Sequence, residues 1–133
     1  MSRFRVTPPD LRSALEALTG AIDGLRVRLV MPAELDAIDP ARADVVLRCV
    51  QEVITNTLRH AHARELVIEL RQHKDGILIA ARDDGRGGSI VMGNGLTGMR
   101  ERFESLGGSL AIDSRDGQGF HLNGTLPPPE RVR

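Results

Sequence analysis

Three stretches of this 133-residue chain combine residue types and spacings that would serve chemistry. In ARADVVLRCVQEVITNTLRHAHA, residues 41–63, Glu52, Asn56 and His60 recur every four residues, which puts an acid, an amide and an imidazole on one face of a helix. The amide oxygen of Asn56 is a hard ligand suited to Mg²⁺. Glu52, one turn earlier, would orient water or accept a proton. Arg59 and His60, one turn later, would contact phosphate oxygens. The second stretch is Asp83-Asp84-Gly85-Arg86-Gly87. A carboxylate there accepts hydrogen bonds and donates none, so it suits a ligand presenting an N–H group, such as the exocyclic amine of adenine. Gly85 and Gly87 would let backbone approach a flat ring closely. The third is Gly93-Asn94-Gly95-Leu96-Thr97-Gly98. Backbone N–H groups in a glycine-rich loop at a helix start form an anion site suited to phosphates. Each stretch also has an ordinary reading: a solvated helix edge, a charged turn and a flexible connector.

The elements that must position these residues follow from periodicity and punctuation. Thr7-Pro8-Pro9-Asp10 reads as a capped helix start, with the helix running to Gly20. Leu25, Val27 and Leu29 alternate with arginines as a half-buried strand. Asp39-Pro40 repeats the cap-then-proline signal and opens one long helix over 41–63. Its stripe of Val46, Val50, Val53, Ile54 and Leu58 should face the core. Residues 66–71 and 77–82 alternate as two strands joined at Lys74-Asp75-Gly76, an antiparallel hairpin. Residues 99–106 read as a short helix closed by Gly107-Gly108. Strands over 109–113 and 120–126 complete the series, with 116–119 as their turn. Paired strands segregated from helices predict an α+β two-layer sandwich. Its mixed, mostly antiparallel sheet of about five strands would be covered on one face by about three helices.

Length and composition agree with one globular domain over 1–133, with a core of about 25–126 and flexible residues 1–7 and 127–133. Hydrophobic residues make up 41% and charged residues 27%, which separates the chain from disordered sequences. The net charge is zero, so there is no basic excess to suggest a nucleic-acid partner or a direct membrane contact. The single cysteine, Cys49, excludes an internal disulfide and falls among the apolar helix positions, where a buried inert thiol is expected. No apolar run reaches the roughly 20 residues needed to cross a bilayer, and no leader pattern is visible, so the expected setting is cytoplasmic.

Taken in order, E-x-x-x-N on a helix, a strand ending in D-x-G-x-G, and G-x-G-L opening a helix resemble the ATPase domain of bacterial sensor histidine kinases. That domain has the Bergerat fold, shared with the gyrase B subunit and with heat-shock and mismatch-repair ATPases. The resemblance covers about Leu25 to Leu126. QEVITNTLRHAHA, ARDDGRGG and GNGLTGMRERFESLGGSLAIDS are similar to the subfamily that signals to response regulators with helix-turn-helix output domains. The resemblance implies binding of Mg²⁺ and ATP, with Asn56 as metal ligand, Glu52 as the catalytic carboxylate of the N box, and Arg59 and His60 in the positions that follow. It implies that Asp83 binds the adenine amine above Gly85 and Gly87. Gly93, Gly95, Leu96 and Gly98 would belong to the nucleotide lid and its hinge, and Gly117 and Gly119 to the late G-x-G.

The sequence departs from the family in three ways. Phe120 stands where a threonine often follows the late G-x-G. The lid over 88–92 is very short. No phosphoacceptor histidine motif lies on an N-terminal helix. The implied partners are therefore a separate histidine-containing dimerisation domain and, through it, a response regulator. Two origins fit this pattern: a longer kinase, with or without a membrane anchor, of which the chain is the catalytic part, or a stand-alone relative. Two other functions fit the same residues: an anti-sigma-factor serine kinase of the same fold, and a nucleotide-binding or protein-interaction module without phosphotransfer.

Overall fold

A computed structural model of the chain describes residues 8–20, 22–32, 38–61, 63–73, 76–85, 94–115 and 119–129. The elements are α1 (Pro8–Thr19), β1 (Arg26–Val30), α2 (Pro40–Asn56), β2 (Glu65–His73), β3 (Gly76–Asp83), α3 (Asn94–Ser105), β4 (Ser109–Arg115) and β5 (Gly119–Leu126). The five strands form one sheet in the order β1-β2-β3-β5-β4. β1 runs parallel to β2 and the other pairs are antiparallel, so the expected mixed α+β sheet is observed. Thr7 and the Lys74-Asp75 turn lie outside the described residues.

Strand alternation gives the sheet two unlike faces. Leu66, Ile68 and Leu70 of β2, Ile77, Ile79 and Ala81 of β3, and Phe120, Leu122 and Leu126 of β5 are buried. Their intervening neighbours Arg71, Leu78, Arg82, His121, Asn123 and Thr125 are exposed. The buried side packs on the helices. Leu11 and Leu15 of α1, Val46, Val50 and Val53 of α2, and Met99 and Phe103 of α3 join the same core. α2 packs beside both α1 and α3, so its inner stripe lies at the centre of the helical layer.

The long helix differs from its sequence expectation at both ends. Asp39 occupies the N-cap in an extended conformation (φ −78°, ψ 163°), with Pro40 in the first turn, but its side chain caps no helix N–H. Its carboxylate instead accepts from buried Arg42 at 3.2 Å. The same guanidinium donates to the carbonyls of Pro127 (2.6 Å) and Leu106 (3.4 Å), which ties the start of α2 to the ends of β5 and α3. At the other end the α-helix stops at Asn56 and continues as a π turn, Thr57–Ala61. Thr57, three and four residues after Ile54 and Val53, therefore fills the inward position (1% exposed), while Leu58 is 51% exposed. Leu58 does not belong to the buried stripe, because the widened turn rotates it outward. Glu52 and Asn56 still share a face, but α-helical spacing does not carry that line on to His60.

α3 starts at Asn94, five residues before the expected position, and ends in a Schellman motif. Gly107, at φ 82°, donates to Glu104 O (3.0 Å), and Gly108 donates to Phe103 O (2.8 Å). Among the described residues, no helix is long and apolar enough to cross a membrane.

Cys49 is fully buried on α2, and burial pushes its thiol up to about 12, with the Glu52 carboxylate adding to the effect. A disulfide reagent near pH 8 should leave the folded chain unmodified and titrate one thiol in denaturant. Rapid modification of the folded chain would contradict this packing.

Candidate functional site

The helical layer and the sheet meet at the last residue of β3. Asp83 continues the inward alternation of Ile77, Ile79 and Ala81, so its carboxylate enters the core side of the sheet and is 7% exposed. Three donors from three parts of the chain hold it. Oδ1 accepts the N–H of Gly85 at 2.9 Å and that of Phe120 at 3.1 Å. Oδ2 accepts the hydroxyl of Thr57 at 3.3 Å. A buried carboxylate without donors would be strongly destabilising, and these bonds offset much of that cost.

Gly119 closes the site from β5. Its φ is 76°, and a Cβ there would lie 2.2 Å from the Asp83 carbonyl oxygen. Only glycine allows the two backbones to approach so closely. Phe120 then extends its ring into the core at 1% exposure.

Asp84, the next residue, is exposed and does different work. Its Oδ1 accepts from the backbone N–H groups of Arg64 (2.8 Å) and Glu65 (2.9 Å), and its own N–H donates to Glu65 O at 3.2 Å. The end of β3 is thereby fastened to the chain entering β2, shortly after the π turn. The N–H groups of Glu65 and Arg64 hold the Asp84 carboxyl below the usual carboxylate range.

Glu52 and Asn56 are half-buried, one turn apart on α2, and Asn56 immediately precedes the residue that bonds Asp83. Neither side chain hydrogen-bonds to another described residue. Arg59 is exposed on the π turn, which also carries the backbone of His60. Leu96 is buried at 3%, on the first turn of α3 with Gly95. A Cβ at Gly98 would meet nothing within 4 Å, so no close approach there demands glycine. Gly87, Gly93 and Gly117 lie outside the described residues. Thr57 was missed by sequence reasoning. Its signal was a polar residue at a helical position that should be apolar.

The arrangement fits an adenine nucleotide. A carboxylate offers about four lone-pair directions, and donors among the described residues use three, leaving capacity for one ligand N–H. The fit to Mg²⁺ rests on Asn56, a neutral oxygen donor with no competing partner among the described residues. Those residues contain no cluster of three or more acidic, histidine or cysteine side chains able to hold a metal. One protein oxygen is consistent with an ion carried mostly by phosphates and water. A surface cavity of about 250 Å³ on the opposite sheet face is lined by Glu69, Arg71, Leu78, Asn123 and Thr125. Its two charges pair with each other at 2.8 Å, and it lies away from Asp83.

Residues 41–130 match the family described as histidine kinase-, DNA gyrase B- and HSP90-like ATPase. The chain belongs to this family. It is 33% identical over 121 residues to the sensor histidine kinase YxjM of Bacillus subtilis, covering 85% of this chain and 30% of that protein. It is also 33% identical over 96 residues to YvfT, another sensor histidine kinase of Bacillus subtilis, covering 71% and 25%. The chain thus spans less than a third of these relatives. Among solved structures, the histidine kinase domain of the Erythrobacter litoralis EL346 blue-light-activated kinase superposes with a TM-score of 0.69 at 22% identity, covering 96% of this chain and 65% of that one. The fold is the histidine-kinase ATPase fold, and the chain is an ATP-binding domain of that class.

The depressed Asp84 carboxyl gives stability that is present above the ordinary aspartate range near pH 4 and is lost as pH falls through its folded value. Asp84→Ala should therefore lower the thermal midpoint at neutral pH, and the gap from wild type should close below about pH 4. An unchanged gap between neutral and acidic pH would contradict this role.

Proposed function

We propose that the chain binds Mg·ATP and donates the γ-phosphoryl group to a histidine on a separate dimerisation domain, from which a response regulator receives it. The observation that carries this reading is the buried Asp83 carboxylate. It has three fixed donors and spare acceptor capacity, and it adjoins the helix turn that bears Glu52 and Asn56. The sensor-kinase relatives support the choice of acceptor.

In this reading Asp83 accepts the N–H of the adenine amine, while Gly85 and Gly87 keep side chains away from the ring. Gly119 seals the wall behind the carboxylate. Asn56 directs its amide oxygen toward the metal. Bound Mg²⁺ would neutralise charge on the phosphate oxygens. Arg59 and His60 steer the same oxygens, and Gly93, Gly95, Leu96 and Gly98 form the lid and its hinge into α3. During transfer, the bond between the γ-phosphorus and the bridging oxygen breaks, its electron pair stays on the departing β-phosphate, and a bond forms to an imidazole nitrogen. The proton on that imidazole leaves to a base, and Glu52 is the carboxylate positioned to take it. The catalytic power is mostly positioning and charge neutralisation. The domain works in the cytoplasm.

Incubation of the chain with γ-labelled ATP, Mg²⁺ and a histidine-bearing kinase dimerisation domain should yield an acid-labile, base-stable label on that domain. An acid-stable label on a serine substrate, or no transfer in a single turnover, would replace this reading. Asn56→Ala should weaken nucleotide binding in Mg²⁺ by about tenfold and metal-free binding much less. Calorimetry showing equal losses in both conditions would contradict the ligand role.

A further inference from the structure

Thr57 is the most deeply buried polar side chain among the described residues, and the mechanism above gives it no part. A threonine within a helix ordinarily returns its hydroxyl to a carbonyl three or four residues back. Here Oγ1 leaves the helix and reaches Asp83 Oδ2. The three donors to Asp83 are divided unequally. Among the described residues, Oδ1 holds two backbone N–H groups, whereas Oδ2 holds the Thr57 hydroxyl alone. The remaining lone-pair capacity is therefore on the oxygen that Thr57 shares. β5 offers no alternative to that hydroxyl. The residue following Gly119 is Phe120, whose contribution to the carboxylate is its backbone N–H.

The geometry points to Thr57 as the positioning residue for purine selectivity: its hydroxyl fixes Oδ2 of Asp83 so that this oxygen meets the 6-amino group of the base. This rests on the assignment of Asp83 to adenine. The two backbone bonds restrain Oδ1, and the hydroxyl sets the remaining rotation of the carboxylate about χ2. Without it, Oδ2 is left free to turn away from the incoming N–H. A purely structural role would lower stability and weaken all purine nucleotides alike. A positioning role changes the ratio between purines with and without the amine.

The test measures calorimetric affinities of the whole chain for ATP and for purine riboside 5′-triphosphate, which lacks the 6-amino group. Wild type should prefer ATP by about tenfold or more, the scale of one hydrogen bond to a charged group. Thr57→Val, close to isosteric but without the hydroxyl, should cut that ratio about fivefold by weakening ATP alone. Thr57→Ser should restore it, and Asp83→Asn should abolish it. If Thr57→Val does not fold, Thr57→Ala carries the same comparison. An unchanged ratio without the hydroxyl, with the ratio lost in Asp83→Asn, overturns the role of Thr57 and leaves that of Asp83 standing. A wild-type ratio near one, or an Asp83→Asn ratio equal to wild type, overturns the adenine assignment itself.

Discussion

The enclosed carboxylate of Asp83 is the constraint on which the rest of the site depends. An acid taken out of water must be supplied with donors, and each donor here comes from a different part of the chain. Gly85 belongs to the segment leaving β3, Phe120 to β5, and Thr57 to the turn that ends the central helix. Holding Asp83 therefore fixes where the helix ends relative to the sheet. Gly119 follows from the same requirement, because its backbone must lie against that of Asp83. The π turn follows as well. It marks the change from a helix that packs apolar residues to one that presents a hydroxyl inward and Leu58 outward. Such widened turns often occur at functional sites.

A second buried charge fixes the opposite end of α2. Arg42 gathers the Asp39 carboxylate and the carbonyls of Leu106 and Pro127, so the ends of α3 and β5 are anchored where α2 begins. With one end set by Arg42 and the other by Thr57, α2 has little freedom to slide over the sheet. The half-buried face carrying Glu52 and Asn56 is consequently held at a constant distance from Asp83. Asp84 adds an independent fastening from the solvent side, joining β3 to the start of β2.

Much of this was legible in the sequence. Alternation located the five strands seen among the described residues, and the order of elements predicted the two-layer α+β sandwich. Spacing put Glu52 and Asn56 on one face, and the ordered motifs pointed to the family to which the chain belongs. The unread parts have separate physical causes. Periodicity assigns inward positions to apolar residues, so it selected Leu58 and passed over Thr57, although Thr57 holds the correct spacing. It also assumes 3.6 residues per turn and cannot register a π turn. Asp39 carried a cap signature, but pairing with Arg42 took its carboxylate instead. The strand end at Asp83 was recognised by type, whereas two of its three donors lie 26 residues earlier and 37 residues later, beyond any local pattern.

In the proposed function the nucleotide base is received at Asp83, on the helix-covered side of the sheet. Amide chemical shifts recorded while ATP is added test it most directly. Gly85, Phe120 and Thr57 should move together along one binding curve, while Ala80, Asn123 and Thr125 on the open face stay still. Shifts concentrated on that open face, with Gly85 and Phe120 unmoved at saturation, would contradict it.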